Sequence, residues 1–106
     1  MQCDIGKESA RDLFYGHRQV GVVAHQLSDD SIPCNKGVLL RTPGPVDPVP
    51  NTACVWVGIA GVTADSGRTG GMPIPPGESV LVPIDDPSRL WVISTDADQD
   101  VAWMAM

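Results

Sequence analysis

From Gln19 onward, β-branched and aromatic runs of four to eight residues alternate with clusters of glycine, proline and aspartate. No helix of ordinary length fits between such interruptions, so the chain has to be built from short strands joined by turns. The runs are Val20–Leu27, Gly37–Arg41, Ala53–Gly58, Ser79–Ile84, Arg89–Ser94 and Asp100–Ala105. With 11 glycines and 10 prolines in 106 residues, a helical bundle is excluded, while the enrichment stays below the level of an unstructured chain.

The punctuation has its own chemistry. Asp85-Asp86-Pro87-Ser88 offers side-chain acceptors and a fixed proline φ, and Asp96-Ala97-Asp98-Gln99 reads as the turn of a terminal hairpin. Thr42 to Pro50 carries four prolines in nine residues and must run extended outside any central strand. Thr63 to Pro76, with Gly67, Gly70, Gly71 and three prolines, is a second long loop. Six or seven strands over residues 19–106 predict an all-β domain: a small antiparallel β-sandwich or partly closed, jelly-roll-like barrel. Residues 1–18 read as an N-terminal arm with one short amphipathic helix over Asp4–Tyr15, ended by Gly16.

The pleat gives a sharper expectation. A strand with one wet face alternates apolar and polar residues, yet Val55-Trp56-Val57, Leu90-Trp91-Val92-Ile93 and Val101-Ala102-Trp103-Met104 are apolar on both faces. One face can fill the core; the other requires the arm, the loops or a second copy of the chain. A chain of 11.2 kDa buries roughly 65% of its unfolded surface, with little to spare for a detached arm. A homo-oligomer is therefore expected. Trp56, Trp91 and Trp103 are the residues expected in core or subunit packing, with Leu13 and Phe14 anchoring the arm.

Charge and motif narrow the function classes. Seven basic against 13 acidic residues, with no basic cluster, remove the electrostatic term that dominates nucleic-acid binding. No apolar run approaches the roughly 18 residues that span a bilayer, and the first residues lack the features of a signal peptide, so a soluble product made in the cytoplasm is expected. Cys3, Cys34 and Cys54 are odd in number and without CxxC spacing, and read as reduced hydrophobes. His17 and His25 are not tied by spacing to any cysteine or carboxylate, and a Cys34–His25 nucleophilic pair has no local support. Asp96-x-Asp98-x-Asp100 opens like a calcium loop but lacks its glycine and distal glutamate. Gly70-Gly71 lacks the rest of a phosphate loop. Neither enzyme activity, cofactor nor metal is expected. A tryptophan platform for sugars is the one small-ligand arrangement with support.

Four segments in order, Lys36–Arg41, Asn51–Gly58 (NTACVWVG), Pro75–Ser79 (PPGES) and Asp85–Ile93 (DDPSRLWVI), resemble the β-domains encoded among structural genes of tailed bacteriophages. The likeness spans about residues 36 to 103, and the first 35 residues share it less. It implies a virion protein on the capsid surface, of the decoration or cement type, forming a homo-oligomer, in the first instance a trimer, on the major capsid protein. A tail, head-fibre or baseplate module is the alternative within the same class, and a small carbohydrate-binding module the alternative outside it.

Overall fold

The structure is a computed structural model that describes residues 14–106. Eight strands follow in chain order: β1 (Phe14–Val20), β2 (His25–Gln26), β3 (Val38–Arg41), β4 (Val55–Gly58), β5 (Met72–Ile74), β6 (Ser79–Val82), β7 (Trp91–Ser94) and β8 (Gln99–Ala105). They form two four-stranded antiparallel sheets, ordered β1-β8-β3-β6 and β2-β7-β4-β5. Of the seven connections only β4 to β5 stays within a sheet; the other six cross between sheets. That order is a jelly roll, an open sandwich and not a closed barrel.

Two expectations are corrected here. Asp96–Gln99 does not close a hairpin: β7 and β8 belong to opposite sheets, and the turn, with Asp98 at φ 60, carries the chain across the sandwich. Phe14 to Arg18, expected in an arm, belong to β1 and pair with β8 from Phe14↔Ala105 to Val20↔Gln99. The helix expected over Asp4–Tyr15 therefore cannot include Phe14 and Tyr15, whose backbones lie in the sheet; the rest of it, with Leu13, lies outside the described residues. The run Val20–Leu27 breaks at Gly21, leaving Val22 and Val23 exposed between β1 and β2.

The core comes from one face of each strand. Val20, Val38, Leu40, Val101, Trp103 and Ala105 point inward from the first sheet, and Val55, Val57, Ile74 and Val92 meet them from the second. Several loop residues finish it, notably Leu27, Cys34 and Leu90. Burial of this kind is the main source of stability, at about 25 cal/mol per Å² of apolar surface.

Turn and loop residues lock the strands together. Gly77, at φ +87, turns the chain between β5 and β6, a conformation few other residues adopt. Thr42, fully buried, donates its hydroxyl to Pro75 O at 2.6 Å; its N–H donates to Glu78 O, and Gly77 N–H donates to Thr42 O. Asp86 caps a 3-10 turn at Pro87–Arg89 by accepting from Ser88 N–H, and the same carboxylate accepts from Ile32 N–H and the Ser31 hydroxyl.

Candidate functional site

Strand alternation and register decide which side chains face outward. On the β2-β7-β4-β5 sheet, Trp56 lies between Ile93 of β7 and Pro73 of β5, and Trp91 lies between Gly58 of β4 and Gln26 of β2. Their inward neighbours Val55, Val57 and Val92 are buried, so Trp56, Trp91 and Ile93, each half-buried, face the outside together. Cross-strand neighbours on one face interact directly, which makes this a joined aromatic and aliphatic surface. Gln26 flanks it, and one N–H of its side-chain amide donates to Ser88 O at 3.0 Å.

The opposite outer face carries a second apolar feature. Tyr15 pairs with Met104, Met104 with Leu39, and Leu39 with Leu81, so four side chains form one row across all four strands of the β1-β8-β3-β6 sheet. The ends of the row are its most exposed members, Tyr15 at 75% and Leu81 at 51%. Beside it runs a polar row in which His17 and Arg41 flank Ala102. The small Ala102 leaves a recess of about 300 Å³ walled by Tyr15, His17, Leu39, Arg41 and Met104.

Of the residues expected in packing, Trp56 and Trp91 share an outer face, whereas Trp103 points into the sandwich and is 7% exposed. Its indole lies against Gly16, where an added Cβ would stand 2.9 Å from Trp103 Cζ2. Its Nε1–H has no hydrogen-bond partner among the described residues. Phe14 begins β1, opposite Ala105 and partly exposed; Leu13 lies outside the described residues. The Tyr15–Leu81 row was missed by sequence reasoning. The signal was present in Val38-Leu39-Leu40 and Val80-Leu81-Val82, apolar on both faces like the three strands singled out above, while Tyr15 was hidden within the expected helix.

The histidines, cysteines and acidic side chains are spread through the fold. His17 and His25 stand on different sheets. Cys34 is buried and donates its thiol to Ile84 O at 3.2 Å. Asp85 pairs with Arg89 at 2.8 Å, and Asp86 is used as a cap. Burial works against ionisation of Asp86, but the hydrogen bonds from Ser31, Ser88 and Ile32 outweigh it and hold its pKa at about 2. Asp98 accepts from the Gln19 side chain, and no group of three or more His, Cys, Asp or Glu side chains suited to a metal gathers among the described residues. The glycine-rich loop after β4 encloses a recess of about 360 Å³ that includes Gly70, Gly71 and Arg68, without the helix a phosphate loop requires.

Set against known protein families, curated proteins and solved structures, the chain matches none.

Proposed function

We propose that this chain is a structural protein of a tailed-bacteriophage virion, a capsid decoration protein that binds the outer shell as a homo-oligomer and bridges neighbouring capsid subunits. The observation that carries this reading is the sandwich's pair of apolar outer faces: the core is already filled from within, and both sheets still present large apolar side chains outward. Contiguous surfaces of that kind serve protein contacts. Two further points support it. The residues that resemble phage β-domains, Asn51, Pro75 to Glu78 and Asp86, are spent on turns and clamps, as suits a scaffold. The jelly roll is also a recurrent architecture of viral capsid domains, an analogy of fold alone.

Cryo-electron microscopy of the virion whose genome encodes the chain tests the reading. The expected result is density for an eight-stranded sandwich on the outside of the shell, and a shell that opens at lower temperature when the protein is stripped from it. Density on the tail or a fibre would assign it there instead, and a virion lacking the chain would overturn the proposal.

The paired exposure of Trp56 and Trp91 favours one other reading, a sugar-stacking platform. Such platforms need several polar groups beside the rings. The cross-strand neighbours of the two tryptophans are Ile93, Pro73, Gly58 and Gln26, of which only Gln26 has a polar side chain, one N–H of it held by Ser88 O. Titration with soluble glycans should therefore leave tryptophan fluorescence unchanged; saturable quenching would favour the sugar-binding reading.

A further inference from the structure

We infer that β1 is the self-association edge of this protein: two copies pair their Phe14–Val20 strands about a two-fold axis and join their β1-β8-β3-β6 sheets into one continuous sheet. The inference rests on the homo-oligomer part of the proposed function and is independent of the capsid part.

An edge strand presents unpaired N–H and C=O groups, and soluble proteins guard such edges with proline, short length or charge. Among the described residues the two sheets have four edges. Strand β2 has only two residues, β5 has three with Pro73 in the middle, and β6 has four followed at once by Pro83. Strand β1 runs for seven residues without proline, and among the described residues no backbone group pairs with its outer side. Its one charged side chain other than histidine, Arg18, faces inward and is held by Asp29 at 2.7 Å, so it does not guard the edge.

The occupant follows from the same comparison. A head-to-tail contact would need a second edge of similar length, and the described residues offer none; a two-fold contact uses the β1 edge twice and closes on itself. The apolar row also reaches its greatest exposure at this edge, at Tyr15, so a second sheet added there shelters the row's open end. The contact implies pairs, where the phage resemblance suggests trimers.

The test uses the full chain. Light scattering after size-exclusion chromatography should give twice the 11.2 kDa chain mass. The double variant Tyr15→Lys/His17→Lys, which changes only exposed side chains, should weaken association at least about tenfold by placing like charges across the contact. Leu81→Lys, at the far edge of the same sheet, should leave the mass unchanged. Amide hydrogen exchange of the unaltered chain, measured above and below its dissociation midpoint, should show that those amides of residues 14–19 that point away from β8 gain protection only on association, while the alternate amides bonded to β8 are protected throughout. This readout holds even if the lysine variant does not fold. A monomeric unaltered chain would overturn both this inference and the homo-oligomer reading. A trimer, a dimer indifferent to the lysines, a dimer equally broken by Leu81→Lys, or outward-pointing β1 amides whose protection is independent of concentration would overturn the inference alone.

Discussion

The side chain of Asn51 behaves as a piece of strand toward Asp100: its Nδ2 donates to Asp100 O at 2.8 Å and its Oδ1 accepts from Asp100 N–H at 2.8 Å. The β3–β8 ladder ends at Arg41↔Ala102, and the Asn51 amide continues it two residues further along β8. Gln99 acts beside it. Its buried amide accepts from Thr52 and Ala53 N–H and donates to Thr52 Oγ1 and Ala97 O. Together the two side chains fasten the end of the proline-rich loop to the corner where β8 begins.

Replacing Asn51 removes both bonds and leaves the Asp100 backbone without that partner. Asn51→Ala should lower stability by about 1–3 kcal/mol. In urea the midpoint should fall at unchanged slope, since the surface exposed on unfolding stays the same. Asn51→Asp should fall between, because a carboxylate can accept from Asp100 N–H but cannot donate to its carbonyl.

Gly16 is held to its size by Trp103, whose ring atom Cζ2 would lie 2.9 Å from an added Cβ. Gly16→Ala should cost about 1–3 kcal/mol and shift the near-ultraviolet circular dichroism of the buried indole. Gly21→Ala is the control, since nothing lies within 4 Å of its Cβ position. A thermal melt should separate the two variants clearly.

The three tryptophans should divide by location. Trp103→Ala empties a core position and should cost about 3–5 kcal/mol. Trp56→Ala and Trp91→Ala remove outward-facing rings and should cost less in the isolated chain. Acrylamide should quench Trp56 and Trp91 more readily than Trp103.

Asp86 ties stability to acid pH. Its folded pKa of about 2 lies below the ordinary 3.8, so the ionised carboxylate stabilises the fold. That contribution is complete above the unfolded pKa and is lost as pH falls from about 4 through about 2. Asp86→Asn should be less stable than the unaltered chain at pH 7, with the gap closing across that window. Urea midpoints at pH 7, 4 and 2 measure it.

The strand runs were legible wherever Val, Leu, Ile and Trp cluster, and these place six of the eight strands. The other two have compositions that mask them. Strand β1 (FYGHRQV) mixes polar, aromatic and glycine residues as an edge can, and β5 is three residues around Pro73. Sheet membership was beyond local reading: Asp96–Gln99 has the length and residues of a hairpin turn, and only the pairing of β8 with β1 and β3 sends it to the other sheet. The same holds for the site. Apolar residues on both faces of β4, β7 and β8 announced apolar outer faces as well as a core, but such strands carry no phase, so Trp56 and Trp91 facing out and Trp103 facing in became distinguishable only with the register.

Strand β8 lies between β1 and β3, so the middle of one sheet is made from residues 99–105, synthesised after every other strand. Until it arrives, β1 and the β3–β6 pair have no strand between them to join them into one sheet. The jelly roll must therefore be completed after translation of its other strands, through contacts distant in sequence, and folding should be slow for so small a domain. During that wait the free edge of β3, which the finished sheet covers with β8, is open to other chains, so the order of synthesis sets the interval in which this molecule can misassemble.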